Sequence, residues 1–291
     1  MPDAERGRPR LVVGGRPVDL SRTLVMGIVN VTPDSFSDGG CFADPRAAID
    51  HGLRLVQDGA DWIDVGGEST RPGSDPVPAD EEIRRVLPVV EALASRAGVP
   101  ISIDTVKATV ADRAAAAGDT LANDVSGLRF DPELADVVRE RRMGLVLMHS
   151  RGRPKDMQTD PHYADPVAEV TAELAEALER AASRGVPADA TLVDPGLGFA
   201  KRLEHNLRLL ASIPALAALG RPILVGPSRK SFIGAVTGDP VDRRLEGTLA
   251  AAAIAVFGGA HVIRVHDVAA ARRAALVAAA IRDGSTGDRR A

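Results

Sequence analysis

Polar side chains follow a series of short apolar runs in this sequence, and their types point to a common chemistry. In chain order they are Asn30, Thr70, Arg71, Asp104, Asn123, Asp124, His149, Asp194, Ser228, Lys230, Arg264 and His266. Carboxylates and a carboxamide match the N–H and NH2 donors of a flat heterocycle. Arginine, histidine, asparagine and threonine together match an anion such as phosphate or diphosphate. The set therefore predicts a site for a heterocyclic phosphate ester, with diphosphate as the candidate leaving group.

Other catalytic chemistries fit this pattern less well. The first long apolar run carries no histidine, whereas a barrel metallohydrolase would have a His-x-His pair there. Neither a Gly-x-Ser-x-Gly nucleophile motif nor a Walker A phosphate loop is present in the sequence. A Schiff base on Lys230 stays open as an alternative, although this lysine lies just past an apolar run, beside Arg229. Single Asp or Asn residues at strand ends can also be simple caps.

The polar residues need elements that bring them together, and the chain alternates apolar runs with amphipathic segments. Eight β-like runs, among them LVMGIVNV, PISIDT and HVIRVHD, alternate with helical segments such as ADEEIRRVLPVVEALASRA. Strands that alternate with helices pair in parallel, and eight such units can close a barrel with its functional groups at the carboxyl ends of the strands. The prediction is an α/β fold, a single (β/α)8 TIM barrel. An open doubly wound sheet is the alternative, but the three-glycine dinucleotide fingerprint is absent.

Segments outside this alternation complete the predicted organisation. The run RLVVGGRPVDL predicts a short N-terminal β-hairpin around its two glycines. One barrel domain is expected over residues 10–284, with flexible ends at 1–9 and 285–291. The polar stretch 150–165 is predicted to be a long, mobile loop.

Charge, cysteine content and the lengths of apolar runs indicate which partners and which cellular location to expect. The chain has 291 residues with a net charge of −4, which gives no reason to expect nucleic acid or an anionic membrane as partner. Cys41 is the sole cysteine, so no internal disulfide can form, as suits a reducing cytoplasm. The first ten residues lack the apolar core of a signal peptide, and no apolar run approaches the ~20 residues that span a bilayer. A cytoplasmic protein is expected.

Eight ordered motifs resemble those of the dihydropteroate synthase family, the folate-pathway enzymes that sulfonamides target. The motifs are MGIVNVTPDSFSDGG, DVGGESTRPG, SIDT, NDVSG, LMH, DPGLGFAKRLEHN, GPSRKSFIG and RVHDV, over a stretch from about Thr23 to Asp283. The resemblance implies that diphosphate leaves 6-hydroxymethyl-7,8-dihydropterin diphosphate with Mg2+ by a dissociative, cation-like path, and that the aniline nitrogen of 4-aminobenzoate attacks the exocyclic carbon. The product would be 7,8-dihydropteroate, formed without a covalent enzyme intermediate.

The same resemblance implies roles for individual residues. The expected pterin-binding residues are Asp104, Asn123, Asp194 and Lys230. The expected diphosphate-binding residues are Asn30, Thr70, Arg264 and His266, with Asn30 also near Mg2+. The expected 4-aminobenzoate-binding residues are Phe36, Asp38, Arg71, Pro72, Phe199 and Ser231. The expected catalytic residues are Asn30, Asp38, Lys230, Arg264 and His266. Phe36 and Asp38, in the loop TPDSFSDGG, would close over the second substrate.

Two other functions are possible on the same barrel, and the family resemblance also implies an assembly state. A pterin methyltransferase on the same barrel would have no reason to carry both TPDSFSDGG and SRKS. A non-catalytic pterin-binding paralogue would lose residues of the first loop, of SRK or of RVH, and all are present. The family is usually dimeric, so a homodimer is expected. Departures from the usual motifs at Ser150, Ala200 and Pro227 affect only the expected shape of loops and pocket wall.

Overall fold

The computed structural model describes residues 9–32 and 45–284 of the chain. The strands in these ranges are β1 (Val12–Val13), β2 (Arg16–Pro17), β3 (Leu24–Asn30), β4 (Trp62–Gly66), β5 (Ile101–Asp104), β6 (Leu121–Asp124), β7 (Gly144–Met148), β8 (Thr191–Asp194), β9 (Leu224–Val225) and β10 (Val262–Val265). The α-helices are α1 (Pro45–Gln57), α2 (Ala79–Arg96), α3 (Ala108–Ala116), α4 (Leu134–Arg141), α5 (Pro166–Ser183), α6 (Leu203–Ala211), α7 (Ser231–Thr237), α8 (Leu245–Phe257) and α9 (Val268–Asp283).

Eight of these strands form one parallel sheet in the order β8-β7-β6-β5-β4-β3-β10-β9. A parallel bridge between Val193 and Ile223 joins the two outer strands, and the Val193 N–H donates to the carbonyl of Pro222 at 3.0 Å. The sheet is therefore closed on itself. The predicted TIM barrel is confirmed, and the open doubly wound sheet is excluded.

The register of the sheet brings the predicted strand ends to one rim. Asn30 pairs with Gly66, Gly66 with Asp104, and Asp104 with Asn123. Further round, Met148 pairs with Asp194 at the ends of β7 and β8. Polar residues that are far apart in the sequence thus surround the carboxyl mouth of the barrel.

The amino-terminal end of the barrel is covered by the predicted hairpin. β1 and β2 pair antiparallel, and Gly14 and Gly15 between them have φ angles of 57° and 73°, which suit the two-residue turn of a hairpin. Leu11 and Val13 are buried against the lower ends of the strands, where they pack with apolar residues such as Met26. This end is sealed by apolar packing.

The rim loops differ in length: α3 begins soon after β5 ends, and α9 begins soon after β10 ends, whereas the loops after β4 and β7 are long. α5 shows the local signals clearly: Pro166 is its first residue, and the Asp165 side chain accepts from the N–H groups of Val167 and Ala168 at 3.0 and 3.3 Å. It ends before Gly185, whose φ of 80° stops a helix. In the described ranges, no helix is both long and apolar enough to cross a membrane.

Some of the predicted segments lie outside the described residues, and one, the polar loop 150–165, lies within them. Phe36, Asp38 and Cys41 lie outside the described residues, and so do the predicted flexible ends apart from residue 9. The polar loop 150–165 packs on the barrel, where Met157 and Tyr163 are buried.

Candidate active site

Four side chains interlock at the carboxyl mouth of the barrel. Nε of Arg264 donates to Oδ2 of Asp64 at 2.6 Å, and its Nη2 donates to Oδ2 of Asp104 at 2.8 Å. Nδ2 of Asn123 donates to the same Asp64 oxygen at 3.0 Å. The structure therefore brings two of the expected pterin-binding residues, Asp104 and Asn123, onto one network with Arg264, an expected diphosphate ligand.

Asp64 is a member of this network that sequence analysis missed. It lies in the middle of β4 and is fully buried. The available signal was its charge inside an apolar strand, because alternate residues of a barrel strand face the interior. Its Oδ1 and Oδ1 of Asp104 are buried and have no hydrogen-bond partner among the described residues. Buried acceptors of this kind are expected to receive donors from a ligand.

Burial favours the neutral form of two carboxyl groups at the mouth, those of Asp104 and Asp194. It raises the pKa of Asp104 to about 7, where Arg264 opposes the shift and Asp64 adds to it. Burial also raises the pKa of Asp194 from its ordinary value, although the Gly196 N–H donates to its Oδ1 at 2.7 Å and favours the charged form. Donors from a bound heterocycle would stabilise these carboxylates as anions.

Lys230 and Phe199 form a second part of the site. Lys230 immediately precedes α7, and its Nζ lies 4.2 Å from the centroid of the Phe199 ring, within cation–π range. Burial lowers the pKa of Lys230 to about 8, and the nearby Arg264 charge acts in the same direction. The structure thus brings together an expected pterin ligand and an expected wall of the 4-aminobenzoate subsite.

His266 is held by Ser228 beside Arg264. Oγ of Ser228 lies 2.9 Å from Nδ1 of His266 and accepts the His266 backbone N–H at 3.2 Å. Burial, followed by the Arg264 charge, lowers the pKa of His266 to about 3. The imidazole is therefore neutral at physiological pH, and its Nε2 can face an anion as a hydrogen-bond donor.

Asn30 and the expected residues of the loop after β4 lie at the rim. Asn30 ends β3 and is half-buried, and Thr70 is half-buried in that loop. Arg71 and Pro72 are exposed, and the Arg71 charge contributes to the lowered pKa of His266. The Arg71 charge therefore acts on His266 in the expected anion site, and the assignment of Arg71 to the 4-aminobenzoate subsite stays a prediction.

Ser231, the last expected 4-aminobenzoate residue in the described ranges, is exposed at the first position of α7. It follows Lys230 directly, so it lies at the edge of the same part of the site. Phe36 and Asp38 fall outside the described residues, and their assignment to this subsite stays a prediction.

A cavity of about 290 Å³ opens beside the buried network. Its walls include Thr70, Asp104, Val125, Phe130 and Arg153. At its edge, Nζ of Lys107 donates to Glu82 and, at 2.5 Å, to Oε2 of Glu68, which also accepts the Val77 N–H at 2.8 Å. Glu68 and Val77 lie at the two ends of the loop after β4, so this ion cluster holds the base of the loop. Sequence analysis did not anticipate it.

The donor set at the rim is compatible with an oxygen-ligated metal ion that takes few ligands from the protein. In the described part of the chain, no group of three His, Cys, Asp or Glu residues could hold an ion. Asn30 offers a carboxamide oxygen at the rim. Mg2+ prefers oxygen ligands and commonly keeps waters and substrate phosphates in its shell. A single protein oxygen therefore fits a magnesium ion that is held mainly by a diphosphate.

Comparisons with known proteins agree with this geometry. The profile of the family described as "Pterin binding enzyme" matches residues 26–266. A dihydropteroate synthase of Synechocystis sp. is 45% identical over 275 residues, which cover 94% of this chain and 95% of that protein. The structure of Xanthomonas albilineans dihydropteroate synthase with 4-aminobenzoic acid has a TM-score of 0.88 at 48% identity, over 94% of this chain and 98% of that one.

A second structure of the Xanthomonas albilineans enzyme, in complex with 7,8-dihydropteroate, has a TM-score of 0.84 at 45% identity. It covers 94% of this chain and 99% of the other. Both the length of the match and the identity exceed what a shared barrel alone would give, since unrelated functions occur on this fold. The chain therefore belongs to the pterin-binding enzyme family, with dihydropteroate synthases as its relatives.

Proposed function

We propose that this chain is a transferase of folate biosynthesis that condenses 6-hydroxymethyl-7,8-dihydropterin diphosphate with 4-aminobenzoate to give 7,8-dihydropteroate and diphosphate. The observation that carries the proposal is the buried network of Asp64, Asp104, Asn123 and Arg264. It combines acceptors that lack partners among the described residues with a fixed cation, and these suit the N–H donors of a flat heterocycle and an anionic leaving group. Relatives with the names and ligands given above support the choice of substrates.

The pterin is expected to lie across Asp194, Asn123 and Lys230. A carboxylate can accept two parallel N–H bonds, so Asp194 would receive the ring N–H and the exocyclic amino group. Lys230 would donate to the ring carbonyl. Asp104, with one buried oxygen free of partners among the described residues, would accept a further ring N–H.

The diphosphate is expected to lie against Arg264, His266, Thr70 and Asn30. Arg264 is fixed by two carboxylates, so its charge needs no reorganisation as negative charge develops on the leaving group. Neutral His266 and Thr70 would add hydrogen bonds. Asn30 would hold Mg2+, which would supply further positive charge to the departing diphosphate.

The aniline nitrogen of 4-aminobenzoate would then attack the exocyclic carbon. Phe199 provides an aromatic wall beside Lys230, and Ser231 lies at the edge of the same region. Arg71, Pro72, Phe36 and Asp38 complete the expected second subsite. With the partners positioned in this way, catalysis rests on orientation and electrostatics rather than on a protein nucleophile.

The central test is an assay of diphosphate release that requires the pterin diphosphate, 4-aminobenzoate and Mg2+ together. Release with water in place of the amine, or none with both substrates, would contradict the synthase. Pterin binding in a calorimeter without turnover would favour the non-catalytic paralogue. A pterin methyltransferase would bind pterin but not use 4-aminobenzoate.

A matched pair of variants, one near each end of β8, tests the pterin assignment. Asp194→Asn, at the carboxyl end of β8, should weaken pterin binding about 10- to 100-fold because a charged acceptor is lost. Asp189→Asn, before the amino end of that strand, should leave pterin affinity unchanged. Equal affinities of the two variants would remove Asp194 from the pterin site.

A homodimer is the assembly we propose. Helices α8 and α9 pack together and expose large apolar side chains, among them Ile254, Phe257, Leu276, Val277 and Ile281, each 51–66% exposed. Contiguous exposed apolar surface is typical of an interface. Sedimentation should give twice the chain mass of 30.4 kDa, and Phe257→Glu should shift it toward the monomer. A cytoplasmic location is proposed from the single cysteine.

A further inference from the structure

Lys201 is a buried lysine that the proposed reaction does not use. It belongs to the sequence DPGLGFAK after β8, and only 3% of its surface is exposed. Its Nζ lies 2.9 Å from Nδ1 of His149, 2.9 Å from the Phe199 carbonyl and 3.4 Å from the His149 carbonyl. An ammonium has three N–H donors, so these three acceptors satisfy it. Burial lowers the pKa of Lys201, but a neutral amine can still donate to the two nearer acceptors.

The position of the proton on the His149 ring decides which group donates in the hydrogen bond between His149 and Lys201. Nε2 of His149 lies 3.1 Å from Oε2 of Glu173. Hydrogen bonds from His149 and Arg151 outweigh burial and lower the pKa of Glu173 to about 2, so it is a carboxylate that only accepts. Burial lowers the pKa of His149 to about 3, which leaves the imidazole neutral. Nε2 therefore carries the proton, and Nδ1 accepts from Lys201.

The segment that Lys201 holds is fixed by side chains at each successive residue. The Gly198 N–H donates to Oδ1 of Asn206 at 2.6 Å, and the Gly198 carbonyl accepts from Gln158 at 2.6 Å. The Ala200 carbonyl accepts from the hydroxyl of Tyr163 at 3.0 Å. Ala200 itself has a φ of 48°, in the left-handed region that an L-residue enters only under constraint. A shaped loop, rather than a flexible one, presents the ring of the intervening phenylalanine.

We propose that Lys201 is a positioning residue for the arylamine substrate, since it ties the Phe199 backbone to the end of β7 and so sets the place of the Phe199 ring against Lys230. The ring lies 4.2 Å from the lysine nitrogen, and Cδ of Lys230 also lies 3.0 Å from where a Cβ on Gly198 would be. A shift of the loop would therefore move the wall of the second subsite. This inference rests on the proposed synthase function.

The variant Lys201→Met keeps the length and apolar stem of the side chain but removes its N–H donors. The KM for 4-aminobenzoate should rise at least tenfold, while the affinity for the pterin diphosphate, measured by calorimetry, should stay within twofold. Lys201→Gln, which keeps two N–H donors on a shorter chain, should give an intermediate KM. If Lys201→Met does not fold, the same KM comparison is made with Lys201→Gln, whose donors can still reach one acceptor.

Two controls separate positioning from a general loss of stability. Arg202→Met removes the neighbouring charge, which pairs with Asp160 at the surface, and should leave both substrates unaffected. Leu134→Ala creates a core cavity on α4, far along the chain from this loop, and should lower the thermal midpoint without a selective rise in the KM for 4-aminobenzoate.

Failure of the proposed synthase function and failure of the positioning role of Lys201 give different results. If the unmodified chain releases no diphosphate with both substrates, the proposed synthase function fails. If the unmodified chain is active and the Lys201 variants weaken both substrates equally, or neither, the positioning role alone is overturned. A change confined to kcat, with both KM values constant, would also overturn it.

Discussion

The two ends of the barrel use the same eight strands for opposite purposes. At the amino end, Leu11 and Val13 of the hairpin seal apolar strand starts by close packing. At the carboxyl end, Arg264 is held between Asp64 and Asp104 in a buried network where two carboxylate oxygens have no partner in the described part of the chain. Apolar burial stabilises a fold, whereas buried polar atoms that lack partners destabilise it until a ligand supplies them. Residues that stabilise the fold are therefore concentrated at the amino end of the strands, and residues suited to bind a ligand at the carboxyl end.

The largest expected effect lies at the carboxyl end. Arg264→Lys keeps a positive charge but loses the planar fork that joins Asp64 to Asp104. We expect kcat to fall about 100- to 1,000-fold, the usual result of removing one donor that stabilises developing charge. Steady-state diphosphate release measures it. The control is Arg272→Lys, whose guanidinium donates to the Gly59 carbonyl before β4 and which should retain normal kinetics.

The matching change at the amino end should affect stability alone. Leu11→Ala removes a buried side chain from the hairpin and should cost about 2–5 kcal/mol of unfolding free energy. Chemical denaturation measures that loss, and kcat and both KM values at low temperature should stay normal. A rise in either KM would show that the hairpin influences the mouth, and the separation of the two ends would then be wrong.

The pH dependence of activity sharpens the comparison, because the half-buried Lys230 lies at the carboxyl end of the barrel. The pKa of Lys230 is lowered to about 8, so its ammonium is lost as the pH rises through that value. The ratio kcat/KM for the pterin diphosphate should therefore fall about tenfold per pH unit above 8. Lys230→Arg should abolish this decline, since a guanidinium stays charged. A profile that is flat to pH 10 would contradict the role of the ammonium.

The smallest expected effect concerns backbone strain at the mouth. Ala200 has a φ of 48°, which costs an L-residue about 1–2 kcal/mol. Ala200→Gly should relieve this strain but add freedom to the unfolded chain, so the gain in stability should be below about 1 kcal/mol. The same substitution at Ala115, inside α3, should destabilise by about 1 kcal/mol. Thermal unfolding of the pair measures the difference, and equal losses would argue against strain at Ala200.

Sequence patterns predicted the architecture because they are local. The alternation of apolar runs and helices, and polar residues such as Asp104 and Asn123 at the ends of runs, depend on neighbours in the chain. The same reasoning missed Asp64, whose partner Arg264 is 200 residues away and whose strand position gives no terminal signal. It also gave Lys201 no role, because its partner His149 lies 52 residues earlier. Contacts of this kind arise only when strands that are far apart in the sequence come together in the sheet.

The closure of the sheet has a consequence for motion at the mouth. β9 has two residues, and among the described residues it meets β8 at a single bridge between Val193 and Ile223. Backbone amides at such a thin junction should exchange with deuterated solvent sooner than those of β4, which pairs along its length on both sides. The loops that follow β8 and β9 carry Phe199 and Lys230. Transient parting of these two strands would open the aromatic subsite while the network around Arg264 stays assembled.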